Sequence, residues 1–177
     1  MGLLTPIAVR IGAIEWLPEY LPYIVKIDDG LQKVTGGRID LLTVAGLPSV
    51  TMVIRGRKSG LDRTTTVLAA PVGDGEWLVA GSYFGSPKSP AWVYNLRSAP
   101  VLQVEEHGEL APMTHRELEG DERAEAWQSL LKVWPNFTIY ERRTTRTIPI
   151  FRLTPARWCQ RAGGSRKIGM VRVVRRS

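Results

Sequence analysis

Apolar and β-branched residues fall in short runs along this chain, with turn formers between them. Ile39–Val44, Ser49–Arg55, Thr64–Pro71 and Trp77–Gly81 all read this way. Runs of this length and composition predict strands. Gly73-Asp74-Gly75 is the clearest hairpin turn, because its residues tolerate positive φ. Val101–Glu106 and Leu110–Leu118 predict another hairpin around His107-Gly108, and Ile148–Leu153 a last strand.

Helical signals are fewer. Pro90–Arg97 predicts a short helix, with Ser89 as N-cap and Pro90 at the first helical position. Gly120-Asp121-Glu122-Arg123 opens a second, its acids placed where the helix dipole favours them. That helix runs through Ala126, Trp127, Leu130 and Leu131 to about Trp134, where Pro135 stops it. A short helical piece follows over Phe137–Arg143. Near the start, Ile11–Lys33 is rich in apolar residues, but Pro18 and Pro22 predict a broken helix. Such a segment covers a core or a dimer partner, or rests its Trp16 and Tyr20 at a lipid interface.

Strands dominate and helices are inserted singly. That order predicts an α+β, mainly β fold: a β-barrel with flanking helices rather than a doubly wound sheet. Three segments are expected: an amphipathic helical segment over 1–38, the barrel over 39–155 and a basic tail over 156–177.

Composition narrows the setting. At 177 residues the chain is expected to form one folded domain. No apolar run reaches the roughly 18 residues of a spanning helix, and the start does not read as a signal peptide. The single cysteine, Cys159, excludes an internal disulfide framework and offers no metal cluster. A cytoplasmic location is expected, with peripheral membrane association open as an accessory property. Net charge is +7, yet Arg161, Arg166, Lys167, Arg172, Arg175 and Arg176 supply six of those charges. The rest is close to neutral, so the cations near residues 55–63 are a local feature, and no specific nucleic-acid partner is expected.

Those cations sit in the densest chemistry of the chain. Gly56-Arg57-Lys58-Ser59-Gly60, followed by Arg63-Thr64-Thr65-Thr66, packs three cations, four hydroxyls and two glycines into eleven residues. Turn amides can form an anion-binding concavity, and Arg and Lys add charge and donors. A cationic turn exposed to water is the competing reading. A second stretch runs from Gly81 through Ser82 and Tyr83 to Asn95. There a strand end passes through a glycine- and serine-rich loop into a helix, whose N-terminus offers donors to an anion or a planar heterocycle. Trp92 and Asn95 lie three apart on one helical face, able to stack on and hydrogen-bond a flat ligand. Equally, Trp92 is core and Asn95 caps a loop. His107 and His115 flank a hairpin and read as surface residues.

These two stretches, in order, resemble the deazaflavin (coenzyme F420)-dependent nitroreductase and oxidoreductase family. The resemblance rests on Gly-Arg-Lys-Ser-Gly with a following Arg-Thr-Thr, and on Ser-x-x-Gly-x-Pro-Lys-x-Pro-Ala-Trp-x-x-Asn-Leu. It extends from about Ile39 to Phe151 and includes Arg146-Thr147-Ile148-Pro149-Ile150. It implies a split β-barrel like that of the pyridoxamine phosphate oxidases, with coenzyme F420 as cofactor. It further implies that Arg57, Lys58, Ser59 and Arg63 hold the phosphate and glutamyl tail, and that Thr64, Thr65, Thr66, Val67 and Leu68 line the same groove. Ala80, Gly81, Ser82 and Tyr83 would run along the deazaflavin ring, and Ala91, Trp92, Val93, Tyr94 and Asn95 would close the pocket. Ser82 is the leading donor to charge developing on the acceptor.

Three positions depart from the family pattern. Tyr83 stands where lysine is frequent, and Leu68 where some members have tyrosine. Phe137 replaces a phenol over the ring, leaving Tyr140 as the hydroxyl of that segment. A more apolar pocket is expected. The implied activity is hydride transfer from reduced deazaflavin to a small acceptor, an activated alkene, a quinone or a nitroaromatic, by a homodimer. The alternative is a split barrel that binds a deazaflavin, a flavin or a lipid without turnover.

Overall fold

The computed structural model describes residues 47–106 and 109–156. The expected N-terminal helix, the strand over Ile39–Val44, the His107-Gly108 turn and the basic tail lie outside the described residues.

Alternation with period two is what closes the sheet around a core. Strand β1 (Ser49–Arg55) buries Val50, Met52 and Ile54 on one face. Strands β2 (Asp62–Gly73) and β3 (Glu76–Ala80) direct Ala69 and Val79 to that same interior, and the neighbouring Ala70 and Leu78 to the opposite face. A helix α1 (Ala91–Ser98) follows, then β4 (Leu102–Glu106), β5 (Glu109–Glu117), helices α2 (Gly120–Val133) and α3 (Phe137–Arg142), and β6 (Ile150–Pro155). All pairings are antiparallel, in the closed order β1-β2-β3-β6-β5-β4. The predicted barrel with flanking helices is what forms, with six strands among the described residues.

Two cores result. The barrel interior holds Met52, Ile54, Val104, Met113, Phe151 and Leu153, closed at one end by Trp92, Val93 and Leu96 of α1. The second lies outside the barrel wall, where Leu78, Ala80 and Ile150 meet Trp127 and Leu130 of α2 and Phe137 and Tyr140 of α3. A fully buried Leu or Phe contributes about 1.5–3 kcal/mol, so both cores matter to stability.

The structure corrects some boundaries. Ser89 is not the N-cap of α1: Pro90 takes that position with an extended ψ of 154°, and its carbonyl accepts from the Val93 N–H. Strand β6 starts at Ile150 because Ile148 and Pro149 serve other partners. The Ile148 carbonyl accepts from Arg123 Nη2 at 3.2 Å, and that of Pro149 accepts from the Gly81 N–H. The turn Asp74-Gly75 has φ of +50° and +74°, the primed geometry that glycine-rich hairpins favour. His115 is not a surface residue. Its Nε2 lies 2.6 Å from the Ala99 carbonyl, and its ring meets Phe151 edge-on. A carbonyl only accepts, so Nε2 carries the proton.

Candidate functional site

Helix α1 is the wall that brings the two sequence stretches together. At its N-terminal half, Val93 packs so closely on Gly81 that a Cβ there would lie 2.6 Å from Val93 Cγ2. Only glycine lets the strand end approach this helix. Two residues further on, Asn95 Oδ1 accepts from the Arg57 N–H at 3.2 Å. The Arg57 guanidinium lies over the Tyr94 ring, 4.9 Å from its centroid, an arrangement the ring quadrupole favours. Of the two readings of Trp92 and Asn95, the structure bears out core and cap. Trp92 is buried edge-on to Phe151, and Asn95 fastens the turn.

The turn itself is a closed loop. Gly56 N–H donates to Leu61 O and Gly60 N–H to Gly56 O, both at 2.8 Å, while Ser59 Oγ accepts from Leu61 N–H. Arg57, Lys58, Ser59 and Arg63 are exposed. None of the three cations forms an ion pair with a described residue. Asp62 is the one acid of the stretch and pairs with none of them, so three exposed cations are left to fit a phosphate- or carboxylate-bearing ligand.

Strand β2 splits the run after the turn. Val67 packs on the barrel interior and Leu68 on the outer cluster. By alternation Thr65 shares the face of Val67, and Thr64 and Thr66 that of Leu68. Thr66 spends its hydroxyl on Thr51 at 2.9 Å. Five consecutive strand residues therefore do not line one groove, as the resemblance implied. Only Thr64, Thr66 and Leu68 share the outer face.

The loop after β3 is the most unusual backbone here. Ser82 is right-handed helical (φ −70°, ψ −42°), and Tyr83 and Phe84 follow at φ +46° and +56°, then Gly85 at +83°. Left-handed backbone costs a non-glycine residue about 1–3 kcal/mol and gathers at functional sites. A right-handed residue followed by a left-handed one turns successive N–H groups toward a common point, forming an anion-binding concavity. The N–H groups of Ser82, Tyr83 and Phe84 pair with no backbone acceptor among the described residues. Those of Gly85 and Ser86 donate to Ser82 O and Tyr83 O and close the turn.

Phe137 and Tyr140 lie beneath this loop, both almost fully buried. Phe137 sits between Trp127 and Tyr140, with ring centroids 5.6 and 6.0 Å away. Tyr140 meets Phe84 at 5.4 Å, and its hydroxyl accepts from Trp134 Nε1 at 3.2 Å. Burial pushes the Tyr140 phenol above its ordinary pKa, and the Trp134 hydrogen bond opposes this in part. Neither ring opens onto solvent, a departure from the ring-facing place that the resemblance implied. Ala80 and Val93 are likewise packing residues. Ala91 and Tyr94 are exposed along α1.

Arg146 was missed from the residues alone. Its Nε donates to Ser86 O at 2.9 Å, and its Nη2 to Gly81 O at 3.0 Å and Ser82 O at 2.8 Å. A signal was available: Arg146 sits between threonines in a run where Arg142, Arg143 and Arg146 outnumber Glu141, so its charge needs a partner elsewhere in the fold.

A six-stranded antiparallel barrel that carries an exposed cationic turn without ion pairs and a left-handed amide loop, both against one helix, has the donors that an anionic cofactor needs. The chain belongs to the F420H(2)-dependent quinone reductase family, whose description matches residues 25–155. It is an oxidoreductase that uses coenzyme F420. An F420H(2)-dependent quinone reductase of Mycobacterium tuberculosis is 29% identical over 143 residues, covering 78% of this chain and 95% of the relative. Among solved structures, an F420-H2 dependent reductase is 32% identical with a TM-score of 0.55, over 60% of this chain and 93% of that one. Another, described as a domain-swapped dimer, is 28% identical with a TM-score of 0.57, over 78% and 97%. No helix among the described residues is long and apolar enough to cross a membrane.

Proposed function

We propose that the chain reduces a quinone with F420H2, and that the αR–αL turn at Ser82–Tyr83 beside the cationic turn is the heart of its site. That turn is the observation that carries the reading, because it combines anion-facing amides with strain that only a purpose-built loop retains. When bound, the reduced coenzyme supplies a hydride. Arg57, Lys58 and Arg63 would hold its phosphate and glutamyl tail, with Ser59 shaping the turn. Gly81, Ser82 and Tyr83 would lie along its ring, and Tyr94 and Asn95 would fix the turn against α1. The Ser82 hydroxyl and the amides that follow it would stabilise the oxyanion left when a quinone accepts a hydride, until solvent protonates it.

Tyr140 and Phe137 act from below in this reading, holding Phe84 and so the ring-facing loop, rather than donating a proton themselves. Enones and nitroarenes remain acceptors by the same chemistry, since each also gains negative charge on oxygen. A homodimer is proposed on the likeness to the domain-swapped dimer. Peripheral membrane association rests on residues outside the described ones.

The test is a titration of the protein with coenzyme F420 and with FMN, following tryptophan fluorescence. Saturable quenching by F420 alone is expected. Anaerobic mixing of the loaded protein with F420H2 and benzoquinone, a nitroarene or an enone then ranks the acceptors. Quinone turnover should lead, and coenzyme binding with no turnover of any acceptor would restore the binding-protein alternative.

A further inference from the structure

Arg146 is a charged residue used as a backbone clamp. Three carbonyls, those of Gly81, Ser82 and Ser86, converge on one guanidinium from sixty or more residues earlier in the chain. They bracket the left-handed residues Tyr83, Phe84 and Gly85 from both sides. Arg146 forms no ion pair with a described residue, and three carbonyl dipoles answer its partly buried charge instead. Its Nη1 is buried and donates to no group among the described residues. Burial lowers its pKa from the usual guanidinium range, the sign of a desolvated cation, though the group stays charged.

A neutral amide could satisfy one carbonyl, but only a planar fork with several donors reaches three. The carbonyls that Arg146 engages are turned toward it, so the N–H groups of the same loop are left to face elsewhere. Arg146 thus ties both ends of the loop to one guanidinium. Phe84 on Tyr140 and Gly85 against the Tyr140 carbonyl hold only its middle.

We propose that Arg146 is a positioning residue for the reductase: it clamps loop 81–86 in its left-handed form, so that the Ser82, Tyr83 and Phe84 amides are preset for the charge that develops at the coenzyme ring and acceptor. The inference deepens the function proposed above and rests on it. Its effect on rate comes from placement, since displacing a site by about 1 Å can cost on the order of 100-fold.

The test compares R146M and R146K with the wild type. Circular dichroism and urea melts first establish that each variant folds. Amide exchange of the coenzyme-free proteins reads the clamp directly. In R146M the Gly85 and Ser86 amides should exchange at least about tenfold faster, from lost charge-assisted hydrogen bonds, with β1 and β5 amides unchanged. The coenzyme-bound proteins then read its purpose. R146M should bind F420 more weakly, shift the visible absorption of the bound coenzyme, and lower kcat for benzoquinone by about 10- to 100-fold with little change in acceptor KM. R146K keeps the charge but not the fork, and should recover part of the affinity while the loop amides stay fast. If R146M does not fold, R146K alone carries the comparison, and loop exchange and absorption identical to wild type overturn the clamp. Fast loop exchange with unchanged coenzyme affinity, absorption and kcat overturns the positioning role. A wild type that binds no F420 overturns the parent reading, and this inference with it. Binding by the wild type with an unaltered R146M overturns the inference alone.

Discussion

A methyl group added at Gly85 would lie 2.6 Å from the Tyr140 carbonyl oxygen and 2.7 Å from Arg143 Cβ, with the backbone already at φ +83°. Both the contact and the conformation oppose a side chain, so Gly85→Ala should destabilise the fold by about 1–3 kcal/mol. Urea unfolding followed by tryptophan fluorescence measures it. Tyr140 carries a pH signature. Its folded pKa is raised, so above about pH 10 the unfolded chain sheds the phenolic proton while the folded one keeps it. Stability should therefore be level below that pH and fall as pH rises through the window above it. Tyr140→Phe should flatten that fall, yet cost about 1–3 kcal/mol at neutral pH by leaving Trp134 Nε1 without its acceptor. Paired urea melts at pH 7 and 10.5 would show both. Residue types with local rules were legible: glycines in turns, acids opening α2, proline ending it. Arg146 was not, because its partners are 60 to 65 residues distant and no local pattern encodes them.

At the level of elements, α1 does two jobs in eight residues. Its apolar face plugs the barrel with Trp92, Val93 and Leu96, while Tyr94 and Asn95 grip the cationic turn. The Arg97–Glu117 pair, with nitrogen and oxygen 2.6 Å apart, ties the helix to β5. Being half exposed, it adds only about 0.2–1 kcal/mol. The turn that α1 holds should bind by charge. Lys58→Ala with Arg63→Ala should weaken F420 binding by about tenfold or more, and reduce its salt dependence. Isothermal titration at two salt concentrations checks both. Unchanged affinity would take the anion cradle away from this turn. The helix and the turn were each visible in the sequence as punctuated runs. That Asn95 fastens one to the other was visible only as one of two readings, since spacing fixes a helical face but not what lies opposite. The run from Thr64 to Leu68 misled for a related reason: a resemblance matches consecutive residues, whereas a strand shows alternate ones to each side.

Across the whole molecule the barrel is closed by β6, the last strand among the described residues, which pairs with both β3 and β5. A chain ending after Pro149 would expose two unpaired strand edges and strip Phe151 and Leu153 from the interior. It should be insoluble, or should unfold without a cooperative transition, as soluble yield and a urea melt would show. The closed barrel was legible from strand count and the single insertion of helices. Its strand order was not, because pairing between β3 and β6 is nonlocal.

That order has a consequence during synthesis. Strands β1 to β3 and the loop after them leave the ribosome well before Arg146 and β6 do. Until then the loop has no clamp and the sheet no seam, so the growing chain can neither store the strain at Tyr83 and Phe84 nor hide its edges. Nonlocal closure of this kind is slow and exposed to aggregation. Chaperone dependence should thus be concentrated in the interval just before β6 appears, and coenzyme loading can only follow the emergence of Arg146 and that strand.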